Sequence, residues 1–79
     1  MNVPRIIVFT QPDSLPCEAV KRFLKHRKAR FVERCVTDDD AALHELSDKY
    51  KSRSTPTVVI GDEVLVGFDP ERLDQLLEP

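Results

Sequence analysis

The strongest constraint on the fold is a short apolar run that leads directly into a turn and a helix. Residues 5–9 (RIIVF) are apolar and rich in β-branched side chains, as in a strand covered on both faces. In the turn that follows, Asp13 or Ser14 is a candidate N-cap, and Pro16 suits the first turn of a helix. Residues 31–36 (FVERCV) predict a second strand, nearer an edge. Such a strand–helix–strand unit is expected to be a right-handed crossover with parallel strands.

Helical spacing of apolar residues indicates three helices. In the first, Cys17, Val20 and Leu24 form one apolar stripe. The second is expected to be capped within residues 37–40 (TDDD), and the third by Asp69. The residues predicted to face inward are Leu43, Leu46 and Tyr50 in the second helix and Leu73, Leu76 and Leu77 in the third.

Two more strands are predicted at residues 56–60 (PTVVI) and 63–67 (EVLVG), joined by a two-residue hairpin turn at Gly61 and Asp62. The element order is therefore βαβαββα. This order predicts a single α/β domain over residues 1–79, in which helices flank a four-stranded mixed sheet.

Composition and charge argue against several classes of function. The 79 residues carry 12 basic and 14 acidic side chains, a net charge of -2 that does not favour nucleic acid or an anionic membrane as partner. No apolar run approaches the roughly 18 residues that span a bilayer. The segment MNVPRIIVFT lacks the pattern of a secretory signal, so a cytoplasmic location is expected. The cysteines are too few for a disulfide scaffold, and with His26 and His44 they form no metal-ligand pattern.

Three longer stretches carry a resemblance to a known family. VFTQPDSLPC (residues 8–17) resembles a strand followed by C-P-x-C, and RSTPTVVIGD (residues 53–62) resembles a cis-proline segment. VGFDPERLDQLL (residues 66–77) resembles a closing strand, a glycine turn and a last helix. Together these stretches resemble the small glutaredoxins, especially the NrdH-type redoxins and glutaredoxin-like proteins of similar length. The resemblance implies a thioredoxin (glutaredoxin-like) fold and thiol–disulfide oxidoreductase activity, with electron transfer to protein disulfides in cell redox homeostasis.

The resemblance also assigns binding roles away from the cysteine. Thr55 and Pro56 match the cis-proline loop, which offers backbone groups to an extended peptide or to glutathione. Gly67 and Phe68 match a turn that is Gly-Gly in glutathione-binding glutaredoxins. Phe68 replaces the second glycine, as in the NrdH-type proteins, which take electrons from thioredoxin reductase. The full set of expected substrate-binding residues is Gln11, Leu15, Pro16, Thr55, Pro56, Gly67, Phe68 and Asp69.

Ser14 is the residue at which the sequence departs from the family. It stands at the position of the attacking cysteine, and Cys17 matches the resolving cysteine. The attacking position needs a thiolate, which forms a mixed disulfide that the second thiol then resolves. A serine hydroxyl lacks both the acidity and the sulfur for this step, so dithiol turnover is expected to be impaired. Two origins of Ser14 stay open. Serine is the nearest isostere of cysteine, which agrees with an introduced substitution. Leu15, which stands where the family more often has proline, favours natural divergence instead.

Each cysteine admits two interpretations. Cys17 is either a core cysteine on the apolar stripe or a residual redox thiol placed after a turn. Cys35 is either a small apolar side chain on a strand or the partner of Cys17 in a disulfide, which would need Cα atoms within about 7 Å. At the level of function, the alternative to an oxidoreductase is a non-catalytic module that binds a peptide or a thiol in the groove of Thr55–Pro56 and Gly67–Phe68.

The expected partners follow from the same resemblance. They are protein disulfides and a reductant, either glutathione or thioredoxin reductase, and the chain is expected to be a monomer without a bound cofactor or metal. Lys51 or Arg53 either meets a glutathione carboxylate or is a solvated loop charge. The basic cluster at residues 25–30 (KHRKAR) is either a solvated helix end or a contact for an acidic partner.

Overall fold

The computed structural model describes residues 5–77, and over that range the predicted element order βαβαββα is confirmed. The predicted domain range of 1–79 and the first residues of the N-terminal segment extend beyond the described residues. The elements are β1 (Ile6–Thr10), α1 (Leu15–His26), β2 (Val32–Cys35), α2 (Asp40–His44) with a following π-helical turn (Glu45–Lys49), β3 (Thr57–Ile60), β4 (Glu63–Val66) and α3 (Pro70–Leu77).

The four strands form one mixed sheet in the order β2-β1-β3-β4. β1 and β2 are parallel, as the crossover rule predicts, while β1 and β3 and then β3 and β4 are antiparallel. The hairpin turn is confirmed at Gly61 and Asp62, where Gly61 has a φ of 58°. The fold class is therefore the α/β, glutaredoxin-like arrangement expected from the sequence.

Side-chain alternation along the central strands supplies a core on each face of the sheet. On one face, Val8 and Val58 pack with the α1 stripe and with Leu73 of α3. On the other face, Phe9 and Val59 pack with residues of α2 and its π-helical turn. Because β1 and β3 are buried on both faces, they have nearly uniformly apolar sequences. Leu76 and Leu77 are partly buried against the first cluster, as predicted.

The inward face of the second helix differs from the prediction. Leu46 is buried and Tyr50 packs against the same cluster, but Leu43 is 44% exposed and Ala42 is buried in its place. The cause is the π-helical turn, in which the Tyr50 N–H donates to the carbonyl oxygen of Glu45. A turn wider than 3.6 residues keeps positions four apart on one face, so Ala42, Leu46 and Tyr50 align.

The start of α2 agrees with the expected cap, since the Asp39 side chain accepts hydrogen bonds from the N–H groups of Ala41 and Ala42. None of the helices within residues 5–77 has the length and the apolarity that a membrane span requires.

Candidate active site

Ser14 forms the N-cap of α1 and lies half-buried at the end of the active-site turn, residues 11–14. Its Oγ accepts a hydrogen bond from the backbone N–H of Cys17 at 3.3 Å, and its carbonyl oxygen accepts one from Glu18 at 3.0 Å. Asp13, at a φ of 58°, turns the chain from β1 into the helix. The Ser14 oxygen therefore lies at a helix N-terminus, where backbone N–H groups stabilise a negatively charged atom.

Cys17 lies inside the first turn of α1 and is 0% exposed. Its neighbours on the predicted stripe, Val20 and Leu24, are buried with it, so the core interpretation of Cys17 agrees with its burial. Cys35 is half-buried at the end of β2, and both cysteines are free thiols. The pairing of Cys17 with Cys35 is therefore not formed in this structure.

The peptide bond between Thr55 and Pro56 is cis, as the resemblance predicts. The Pro56 carbonyl oxygen accepts a hydrogen bond from the backbone N–H of Gly67 at 2.8 Å. Gly67 has a φ of 86°, a left-handed conformation that favours glycine. The proline loop and the glycine turn, which are far apart in sequence, are thus directly joined.

One edge of the sheet gathers the predicted site segments. β1, β2 and β4 end at this edge and β3 begins there, because of three cross-strand pairs: Thr10–Cys35, Phe9–Thr57 and Thr57–Val66. The active-site turn, the cis-proline and the glycine turn therefore all leave the sheet on the same side. Leu15, next to the turn, is 85% exposed.

Phe68, the second residue of the glycine turn, contacts α1, and Asp69, the residue after it, caps α3. The Phe68 ring is 39% exposed and meets the Phe23 ring edge-on, with ring centroids 5.9 Å apart. Asp69 caps α3, as predicted, because its Oδ1 accepts the backbone N–H of Arg72 at 3.1 Å. One side of the turn is thus aromatic and the next residue carries a negative charge.

The Glutaredoxin family model matches residues 6–65, which is most of the chain. The chain belongs to the glutaredoxin family. A curated relative, an uncharacterized glutaredoxin-like 8.6 kDa protein in the rubredoxin operon of Clostridium pasteurianum, is 29% identical over 92% of this chain and 97% of its own length.

Two solved structures are similar to this glutaredoxin over nearly their whole length. The thioredoxin-like protein BC3987 is 52% identical, with a TM-score of 0.89, over 92% of this chain and 100% of its own. The NrdH-redoxin from Escherichia coli is 31% identical, with a TM-score of 0.84, over 95% of this chain and 96% of its own. That protein is a glutaredoxin-like protein with a thioredoxin-like activity profile.

A polar network that the sequence did not reveal joins three elements of this glutaredoxin. The Thr10 hydroxyl and the Lys21 ammonium both donate to Glu33 Oε2, at 2.8 and 3.1 Å, and Lys21 also pairs with Glu18 at 2.7 Å. The Glu18 and Glu33 carboxylates hold the pKa of Lys21 above its ordinary value. Burial acts to raise the pKa of Glu33, but the hydrogen bonds from Thr10 and Lys21 outweigh it and lower that pKa.

This network lines a cleft of about 420 Å³ beside the active-site turn. Gln11 borders the same cleft, as does Cys35, while Cys17 does not line it. Glu33 and Cys35 are two residues apart on β2, so their side chains share the face of the sheet that α1 covers. This spacing is the sequence signal that could have revealed the cleft. It locates the cleft only when the pairing of Thr10 with Cys35 is also known.

The remaining predicted residues fall outside this cluster of segments. Lys51 and Arg53 are exposed in the loop before the cis-proline, with Lys51 at a φ of 57°. Their exposure agrees with a solvated loop charge, and the alternative, a contact with a glutathione carboxylate, stays untested. Within residues 5–77 no group of three His, Cys, Asp or Glu side chains is arranged to hold a metal, and His26 and His44 are exposed.

Proposed function

We propose that this chain is a glutaredoxin/NrdH-like protein of the thiol–disulfide oxidoreductase lineage, whose dithiol turnover is impaired because Ser14 replaces the attacking cysteine. The observation that carries the proposal is the position of Ser14 Oγ. It lies at the N-cap of α1 and accepts the Cys17 N–H, while Cys17 itself is fully buried.

The chemistry of the lineage explains why this position matters. A thiolate at the N-cap attacks a target disulfide, forms a mixed disulfide and releases the other target sulfur as a thiolate. The second thiol then attacks the mixed disulfide, so the target leaves fully reduced and the protein keeps an intramolecular disulfide. The helix N-terminus stabilises the thiolate of the first step. Ser14 supplies the same location without sulfur, and buried Cys17 has no exposed path to a target.

The proposed substrates are protein segments that carry a disulfide. The support is the common edge of the sheet, at which the active-site turn, the cis-proline and Gly67 meet the strand ends. Leu15 beside the turn is an exposed apolar side chain, which suits contact with an extended peptide. Gln11 and Pro16, close to Leu15 in sequence, are also exposed.

The proposed electron donor for an active form is a flavoprotein of the thioredoxin reductase kind, with glutathione as the alternative. The partly exposed Phe68 ring in the glycine turn supports the first choice, because the ring occupies space that a second glycine would leave open. A cytoplasmic location, a monomeric state and a role in cell redox homeostasis stay predictions.

The proposal is tested by restoring the sulfur. The Ser14→Cys variant and the unmodified chain are compared in reduction of insulin disulfides, with NADPH and thioredoxin reductase or with glutathione and its reductase. The expected result is activity near background for the unmodified chain and at least about a hundredfold more for the variant. Ser14→Ala is the control, since it changes the cap without adding sulfur. Equal activity of the unmodified chain and Ser14→Cys would contradict the proposal.

A non-catalytic binding module is the second candidate. It is favoured by the same pair of facts, a serine at the cap and a cysteine with no exposed surface. NMR titration with a disulfide-free peptide separates the two candidates. Binding with shifts confined to Thr55, Pro56, Gly67 and Phe68, together with no activity of Ser14→Cys, would favour the module.

A further inference from the structure

β4 forms one of the two outer edges of the sheet, and it carries exposed apolar side chains. It lies last in the strand order β2-β1-β3-β4, and within residues 5–77 its partner strand is β3. Val64 is 40% exposed and Val66 is 58% exposed. They alternate with Leu65, which packs against the core cluster on the other face of the strand. An edge strand with apolar side chains and unpaired backbone groups is a template for a further strand.

The hydrogen-bond pattern between β3 and β4 indicates which backbone groups point outward. The Gly67 N–H donates to the Pro56 carbonyl oxygen at 2.8 Å, so these two residues form a hydrogen-bonded pair. Hydrogen-bonded and non-hydrogen-bonded pairs alternate along antiparallel strands, and Leu65 is therefore the next residue whose backbone bonds to β3. The N–H and C=O groups of Val64 and Val66 consequently point away from β3, toward the open edge.

The opposite outer strand, β2, is protected in a way that β4 is not. Its sequence, VERC, includes the charged residues Glu33 and Arg34, and charged side chains on an edge strand oppose pairing with a further strand. The charged residue of β4 is Glu63, at the first position of the strand, and the Arg72 guanidinium pairs with it at 2.6 Å. The rest of the strand, VLV, is apolar. β4 is therefore the edge that is open to pairing.

We propose that β4 is a docking edge for a second copy of this chain, in which two β4 strands pair antiparallel about a twofold axis at Leu65. In this register, Val64 of each copy lies opposite Val66 of the other. Because the backbone groups of both valines point outward, each of these pairs exchanges both of its N–H···O bonds across the axis. The two sheets then continue as one. This inference goes beyond the proposed function and does not rest on it.

The side chains and charges of β4 are complementary to those of a second copy in this register. Opposite residues of an antiparallel pair share a face, so the exposed valines cover one another across the axis. Glu63 lies opposite Gly67, which has no side chain, so no two carboxylates are opposed and the pairing of Glu63 with Arg72 is kept. A register shifted by two residues toward the hairpin turn would instead place the charged Asp62 opposite Val66.

The size of the edge determines how strongly the copies associate. A standard stable interface engages about 20–30 residues on each side. The docking edge offers only the strand Glu63–Val66 and the turn residues next to it. The proposed dimer is therefore weak, with a Kd on the order of 0.1–1 mM, and the expected monomer prevails in dilute solution.

The proposal is tested by NMR of the 15N-labelled chain between about 0.05 and 2 mM, a range that spans this Kd, with a reductant to prevent cross-linking of copies through thiols. The amide signals of Val64 and Val66 should shift with concentration, and that of Leu65, which bonds to β3, should shift less. Val66→Lys should weaken the association at least about tenfold, because it places a charge on the docking edge. The matched control is Val32→Lys, which changes a 46% exposed valine on β2 and should leave the association unchanged.

The register is tested separately by mixing two variants. Val64→Lys and Val66→Glu chains should associate more tightly with each other than either does with itself, because this register places the two changed residues opposite one another. A mixture no tighter than the separate variants would rule the register out.

Two other results would overturn the proposal. Signals that do not change up to about 2 mM would mean that no second copy docks, and that the edge is covered by another protein or left unpaired. Equal weakening by Val32→Lys and Val66→Lys would mean that the copies do not associate through β4. Neither readout depends on the insulin assay, so failure of the proposed function and failure of this inference are distinguishable.

Discussion

The hydroxyl oxygen of Ser14 accepts the backbone N–H of Cys17, three residues further into α1, at 3.3 Å. This contact closes the first turn of the helix. Under the proposed function, it also places an oxygen atom where thiol–disulfide exchange needs a sulfur, so that Ser14 would stabilise the fold at the position where it removes the chemistry. Stability and activity should therefore respond differently when this residue is changed.

The first prediction concerns the cap. Ser14→Ala should lower the free energy of unfolding by about 1 kcal/mol, because the Cys17 N–H loses its acceptor. Urea denaturation followed by circular dichroism measures the change. Exposed Ser54, whose local hydrogen bonds use its backbone atoms, provides the control Ser54→Ala. A cost for Ser14→Ala no larger than for Ser54→Ala would argue against the cap.

The second prediction concerns the two thiols. Cys17 is 0% exposed and Cys35 is half-buried beside a cleft, so iodoacetamide should alkylate Cys35 first. Cys17 should react at least about a hundredfold more slowly in the folded chain, since its reaction requires opening of the structure. Peptide mapping by mass spectrometry measures both rates. After mild oxidation both thiols should still be alkylated once the chain is unfolded. Protection of both at that stage would indicate a Cys17–Cys35 disulfide instead.

The third prediction tests the corrected face of α2. Leu46→Ala should cost about 2–5 kcal/mol of unfolding free energy, because this side chain of the π-helical turn is buried against Phe9 and Val59 of the sheet. The same substitution at exposed Leu43 should change stability by no more than about 0.5 kcal/mol. Chemical denaturation of the two variants forms a matched pair. Similar losses would mean that both leucines face the core.

The fourth prediction concerns acid stability. The pKa of Glu33 is lowered in the folded protein, so its contribution to stability is present above the unfolded-chain value of about 4.3. It is lost as the pH falls through the lower pKa of the folded state. Glu33→Gln should therefore reduce the loss of unfolding free energy between about pH 6 and pH 3. The effect should be small, because this carboxylate is well exposed.

The control for that measurement is Asp62→Asn, which removes an exposed carboxylate in the hairpin turn. Asp62→Asn should match the unmodified chain in the pH dependence of its unfolding free energy. If Glu33→Gln matches it as well, the hydrogen bonds from Thr10 and Lys21 do not make the stability depend on the ionisation of Glu33.

The sequence predicted the parts of the fold that depend on local periodicity. The strand before Ser14, the stripe of Cys17, Val20 and Leu24, and the hairpin turn all follow from spacing within one element. The prediction that Leu43 faces inward was wrong because the π-helical turn changes the helical period, and Ala42, Leu46 and Tyr50 pack together instead. No pattern of apolar residues reports such a local change of period.

In the candidate site, too, some features were predicted from the sequence and others were missed. The cis bond at Pro56 was expected from the resemblance and the cap at Asp69 from the helix-start pattern before Pro70, and the structure contains both. The Glu33 network and the Phe23–Phe68 contact were missed, because their members lie on different elements and meet only after the sheet has formed. Contacts of that kind are encoded in register and packing and have no local sequence signature.

The central claim is that a sulfur at position 14 is what this chain lacks. The direct measurement uses intact-mass spectrometry after reaction with one equivalent of 2-hydroxyethyl disulfide, in chains that carry Cys35→Ser so that the accessible second thiol does not contribute. Ser14→Cys should lose two hydrogens and form an intramolecular disulfide with Cys17, while Ser14→Cys with Cys17→Ser should stop at a mixed-disulfide adduct.

The chain with Ser14 in place should show neither product over the same time. Rapid oxidation or adduct formation at Cys17 in that chain, at the rate of the Ser14→Cys variant, would contradict the account, because it would mean that the buried thiol performs the chemistry without a partner at position 14.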